Sequence, residues 1–137
     1  MSIHHFAAAA AAAVNNHDPD AVVGLWAEPA DYVSPLTGHE QGLAALRARE
    51  EALFHGFSDL RATITVLAEG GATGTMSVHF DGTHDGEYAG VPATGQRLAL
   101  DMFAVVTFDD TGRAIGERVF LESADPGMML TAGDALR

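Results

Sequence analysis

The sequence predicts an α+β domain in which helices cover one face of a mostly antiparallel sheet. Three observations carry that expectation. Apolar residues recur at three-to-four-residue spacing through the first third of the chain. From Asp59 onward the period drops to two, the alternation of a half-buried strand. The whole chain is 137 residues with no linker and no internal repeat, the length of one domain (1–137), since independent units run to about 100–150 residues.

Each element follows in order. Ile3 to Asn15, rich in alanine, is the first helix and ends in Asn15-Asn16-His17. Asp18 suits an N-cap and Pro19 the first helical position of a short second helix. Val22, Val23, Leu25 and Trp26 give that helix an apolar side, and Glu28-Pro29 stops it. Asp31 to Ser34 is a brief extended piece ended by Pro35. Thr37-Gly38-His39-Glu40 has capping-box spacing and opens a third helix that runs to about Phe54 or His55. Leu43, Leu46, Leu53, Phe54 and Phe57 trace its buried side, with Arg47, Arg49, Glu50 and Glu51 largely solvated. The strands begin with Leu60, Ala62, Ile64 and Val66, and a turn at Glu69-Gly70-Gly71 leads to Thr75 to Phe80. A glycine-punctuated segment, Gly82 to Gly95, precedes the longest strand, Arg97 to Phe108. Asp109 to Gly112 is a hairpin turn, and Ile115 to Leu121 returns.

Composition narrows the partners. Nineteen acids against seven arginines give a formal net charge of −12, which repels nucleic acid and anionic membrane. A small hydrophobic, neutral or cationic molecule, or another protein, is the expected partner. Cysteine and lysine are both absent, which rules out thiolate nucleophiles, cysteine-held zinc, Schiff bases and a P-loop lysine. Neither a nucleotide fingerprint nor metal-ligand spacing occurs: His4-His5 and His17-Asp18 lack a partner at helical spacing. No cofactor is expected. The run Ala7 to Ala13 reads as helix interior with no preceding Lys or Arg, no stretch is long enough to span a bilayer, and a cytoplasmic location is the default.

Strand parity selects the candidate chemistry. Glu117 shares a face with Ile115, Val119 and Leu121, and a carboxyl in an apolar row is driven toward its protonated form, which suits acid–base work. The same spacing also suits an ion pair with Arg118 at the sheet surface. His79 is a candidate to polarise a substrate oxygen or to relay a proton with Glu117; the alternative is a hydrogen-bonded histidine on a polar face. Asp101, in the row of Arg97 and Phe103, is a further candidate, with a pairing to Arg97 as its structural alternative. Trp26, Tyr32 and Phe54 from the helical cover, with Met102 on the long strand, are candidate substrate contacts. His84 is either a rim residue of the pocket or a structural bond within its loop.

The segment Gly82-Thr83-His84-Asp85-Gly86-Glu87-Tyr88-Ala89-Gly90-Val91-Pro92-Ala93-Thr94-Gly95 resembles a stretch of the SnoaL-like polyketide cyclases, within the nuclear transport factor 2-like superfamily. Phe57-Ser58-Asp59-Leu60, Phe108 to Arg113 and Glu117-Arg118-Val119-Phe120-Leu121-Glu122 are similar to further motifs of that group, in the same order. The resemblance implies three helices closing the concave side of a strongly curved sheet, a deep apolar central pocket, and a homodimer. It also implies cofactor-free cyclisation, isomerisation or hydration of a polyketide-like carbonyl compound. The acid–base aspartates of the similar cyclases, epoxide hydrolases and steroid isomerases fall here on Val119, Ser34 and Ala104. A non-catalytic binder of a small hydrophobic ligand or partner chain is therefore the competing expectation.

Overall fold

The computed structural model describes residues 2–35 and 37–121; Glu122, the end of the last motif, lies outside the described residues. Helix α1 (Ile3–Asn15) starts at Ser2, whose hydroxyl accepts a hydrogen bond from His5 N–H at 3.3 Å. Helix α2 (Pro19–Val23) is capped by the Asp18 carboxylate, which accepts from Ala21 N–H at 3.1 Å. Both starts are those the sequence predicts.

The next segment differs. Strand β1 (Trp26–Ser34) is longer than expected, and Glu28-Pro29 lies inside it rather than ending a helix. The strand's ladder to its neighbour skips from Trp26 to Asp31, so Pro29 sits in an irregularity where its missing N–H costs no rung. Thr37-Gly38-His39-Glu40 does not form a capping box. Gly38–Glu40 is strand β2, paired with β1 so that Tyr32 faces Glu40. Helix α3 (Leu43–Gly56) begins later, and its first N–H, that of Leu43, donates to Glu28 Oε1 at 2.9 Å. The cap comes from a residue remote in sequence, which local spacing does not reveal.

The remaining strands are β3 (Arg61–Gly70), β4 (Thr73–Thr83), β5 (Arg97–Phe108) and β6 (Ala114–Leu121). They form one six-stranded sheet in the order β2-β1-β6-β5-β4-β3, with β1–β6 parallel and the other pairs antiparallel. Ladder shifts near Trp26, Val66 and Thr107 interrupt the regular register, and such bulges bend and twist a sheet into a curve. Helices pack on its concave side. Met76 and Val78 from β4, Leu98, Leu100, Met102, Ala104 and Val106 from β5, and Val119 from β6 meet Ile3, Phe6 and Val14 of α1 in one core. Gly74 lets α1 approach β4: a Cβ there would collide with the Ile3 side chain.

The loop between β4 and β5 docks on the end of α3. Asp85 and Gly86 N–H groups both donate to Gly56 O at 3.1 Å, meeting a carbonyl that the helix leaves open. A Cβ on Gly86 would strike the His55 carbonyl, so the close approach needs glycine. Tyr88 is thereby held edge-on to Phe57, 5.5 Å between ring centroids.

Candidate functional site

The site starts from strand pairing. Glu117 on β6 is the rung partner of Val106 on β5 and of Tyr32 on β1, so all three side chains leave the same face of the sheet. Val106 is completely buried. Glu117 therefore belongs to the concave, helix-covered row and not to a surface pair with Arg118, its exposed neighbour of opposite parity. As a whole residue Glu117 is partly buried.

Helix α3 supplies the opposite wall. The Arg49 guanidinium lies over the Tyr32 ring, 3.6 Å from Cζ to the ring centroid. Its Nη2 is 3.3 Å from Glu50 Oε1, and its Nε is 3.9 Å from Glu40 Oε1, an ion pair too long for a hydrogen bond. Only 12% of the Arg49 side chain and 7% of the Glu50 side chain reach solvent.

Burial dominates the electrostatics. Desolvation pushes the Glu117 carboxyl up to about 7, with Arg49 opposing the rise and Glu50 adding to it. Glu50 is raised for the same reason, again opposed by Arg49. Tyr32 is held well above the ordinary phenol range by burial, and Tyr88 is raised likewise. Burial works against the charge of Arg49, but Tyr32, Glu50, Glu117 and Glu40 more than offset it, so the guanidinium stays charged. The concave face thus holds a carboxyl that is half ionised near neutrality, a phenol that keeps its proton, and a fixed cation. One group can take a proton, and the other two can stabilise the negative charge left behind.

The other candidates are placed elsewhere. His79 and Asp101 are rung partners on β4 and β5, bonded Nδ1 to Oδ1 at 2.6 Å, in the outward row that also contains Ser77, Phe103 and Val105. This corrects two expectations. His79 has the sheet between it and Glu117, so no relay joins them, and Asp101 pairs with His79 rather than with Arg97. Arg97 is bonded to Asp81 instead. Trp26 is core, packed edge-on to Phe6 at 6.2 Å. Phe54 stacks on His17, 4.7 Å between centroids, at the seam where His17 Nε2 meets Leu60 O at 2.9 Å. Met102 faces the concave side between Val78 and Leu121 and is buried. His84 is buried within its loop, with Nδ1 2.9 Å from Thr94 Oγ1 and its ring stacked on Phe57. On the concave face Tyr32 and Glu117 are brought together as rung partners.

Arg49, Glu50, Glu40 and Tyr88 are the site residues that sequence reasoning missed. A signal existed for two of them. Positions 49 and 50 lie three and four after Leu46 and four and three before Leu53, inside the stripe that the helix buries. Charged residues in that stripe are buried by the helix that carries them.

The curved sheet with its helical cover and inward carboxyl is a ketosteroid isomerase/nuclear transport factor 2-like fold, shared with several solved structures. A family model described as "SnoaL-like polyketide cyclase" matches residues 4–125, and the chain belongs to that family. No curated protein matches. Among solved structures, a protein from Jannaschia sp. CCS1 assigned as a SnoaL-like polyketide cyclase is 18% identical, with a TM-score of 0.78 over 97% of this chain and 90% of its own. One from Pseudomonas putida KT2440, assigned as a polyketide cyclase, is 21% identical, with a TM-score of 0.78 over 91% and 95%. AclR of Streptomyces galilaeus, assigned as a hydroxylase, is 21% identical, with a TM-score of 0.76 over 95% and 94%. These likenesses are of fold. Family and fold together support a cyclase- or isomerase-type function.

Proposed function

We propose that this protein is an acid–base catalyst that needs no cofactor and acts on a small hydrophobic, polyketide-like carbonyl compound by ring closure, isomerisation or hydration. The observation that carries the reading is Glu117, an inward carboxyl poised at about 7 beside the protonated Tyr32 and the buried Arg49. In its ionised form Glu117 removes a proton next to the carbonyl. The Tyr32 hydroxyl donates a hydrogen bond to the oxygen on which charge develops, and Arg49 lowers the energy of that charge from behind the ring. Protonated Glu117 then returns the proton at the new position. A carboxyl near the working pH does both steps well, because neither form is scarce.

The aspartate positions of similar enzymes support this reading in a shifted form. Ala104 and Val119 are rung partners, both buried, and form an apolar patch. Glu117 lies one inward position along β6 from Val119. The same apolar patch favours the second reading, a binder without turnover. Hydrogen–deuterium exchange at the α-carbons of 2-tetralone, followed by proton NMR, separates the two. The wild type accelerates exchange, with a rate that rises with pH through about 7, and Glu117→Gln lowers it at least about 100-fold. Undiminished exchange in that variant removes Glu117 from the mechanism, and no acceleration by the wild type favours the binder.

The partner expected from the family resemblance, a second copy of the chain, belongs to the same proposal. Phe103 and Phe120 face each other across β5 and β6 on the convex side, 38% and 48% exposed, an apolar pair that a second sheet face would cover. An analytical ultracentrifugation run gives the answer: a single 14.3 kDa species at high protein concentration rejects the dimer.

A further inference from the structure

Among the described residues five buried polar atoms lack a hydrogen-bond partner: Arg49 Nε, Glu50 Oε2, Glu40 Oε1, Thr37 Oγ1 and His84 Nε2. A buried donor or acceptor left unmade costs about 1–3 kcal/mol, more when charged, so such groups are rarely left idle. Three of them stand together. Arg49 is ion-paired with both Glu50 and Glu40, and Glu40 is the rung partner of Tyr32, so the charged three bracket the end of the catalytic row. The Glu50 side chain is 7% exposed, and its other oxygen is already engaged by Arg49. What is missing is therefore one acceptor for Arg49 and donors for two carboxylate oxygens.

Charge decides what chemistry satisfies that set. Among the described residues Arg49 is the cation of this cluster, against Glu40, Glu50 and Glu117, so the cluster holds no spare positive charge. An anionic carboxylate or phosphate would meet the guanidinium but repel two carboxylates. A purely apolar group would leave all the atoms unmet. Two neighbouring hydroxyls satisfy the arrangement: each donates its proton to a carboxylate oxygen, and one oxygen accepts from Arg49 Nε. The aromatic walls Tyr32 and Tyr88 suit a planar carrier for those hydroxyls.

We infer that the Arg49–Glu50–Glu40 cluster is a recognition subsite for a neutral pair of adjacent hydroxyl groups on an otherwise apolar, planar ligand. The inference rests on the proposed site but concerns binding, not proton transfer. Calorimetric titration with three matched probes tests it: 2,3-dihydroxynaphthalene, 2,3-dimethoxynaphthalene and 2-naphthoate. The diol binds at least about tenfold more tightly than either of the others, the worth of one charge-assisted hydrogen bond. Glu50→Met brings the diol-to-dimethoxy ratio to within about threefold of unity while the dimethoxy affinity holds, which also reports that the pocket is intact. Glu40→Met provides a second variant if Glu50→Met does not fold. Glu117→Gln keeps the diol preference, so loss of proton exchange and loss of recognition are separate results. Absence of binding by all three probes, equal affinities, tighter binding of 2-naphthoate, or a preference untouched by both Met variants overturns the subsite; equal affinities mean that water fills it.

Discussion

The two faces of the sheet carry similar residue types in opposite states. On the convex side His79 and Asp101 bond at 2.6 Å with side chains 43% and 51% exposed. On the concave side Glu117, Tyr32 and Glu50 are raised by burial, while the groups around Arg49 raise it against the pull of burial. A short hydrogen bond in solvent is a common surface feature worth about 0–1 kcal/mol. The longer, incompletely satisfied arrangement inside is the one we propose to act on substrate.

Neighbouring residues on β5 offer the sharpest test of that contrast. Met102 points inward and is 4% exposed, whereas Phe103 points outward. Met102→Ala lowers the unfolding free energy by about 3 kcal/mol through the cavity it leaves, as read by urea denaturation. Phe103→Ala costs less than about 1 kcal/mol in dilute solution, with an effect that grows with protein concentration if the convex face joins two copies. Equal losses for the two substitutions would break the distinction between faces.

The strained titration of Glu117 predicts a smaller effect with a definite sign. Its folded pKa is raised from 4.5 to about 7, so ionisation favours the unfolded chain and stability falls as pH rises through that window. Glu117→Gln removes the penalty. The variant gains roughly 3 kcal/mol over the wild type at pH 8 relative to the difference at pH 4.5, measured by urea unfolding at both values. A gain independent of pH would mean that Glu117 titrates as an ordinary surface group. At the acid end the carboxylates Asp31, Asp59, Asp85 and Asp109, outside the core, act oppositely. Hydrogen bonds, chiefly from His39 to Asp31, from Thr83 to Asp59, from Ser58 to Asp85 and from Thr111 to Asp109, hold them below 3.8, and the stability they add is lost as pH falls through their lowered values.

The smallest effect belongs to the outer pair. His79→Gln changes 2-tetralone exchange by less than about twofold and unfolding free energy by less than about 1 kcal/mol. A large loss of exchange would reverse the assignment of faces.

Much of this protein was legible in its residues. Alternation placed β5 at Arg97–Phe108 to the residue, because a strand that buries one face must repeat with period two. The same parity separates Glu117 from Asp101 where no bulge intervenes. Which of them faces inward was not legible from the residues; the pairing of Glu117 with Val106 and Tyr32 decides it. Local spacing failed where a distant group intervened. The Thr37–Glu40 signature became a strand because β1 offered it a ladder and Glu28 took over the cap of α3. Arg49 and Glu50 read as solvated because charge is normally outside; only the packing of α3 on β1 set them against Tyr32. The sequence by itself determined the period, parity and order of the elements, which depend on near neighbours. Tertiary structure alone decided which charged groups lose their water, because desolvation depends on what the rest of the chain brings over them.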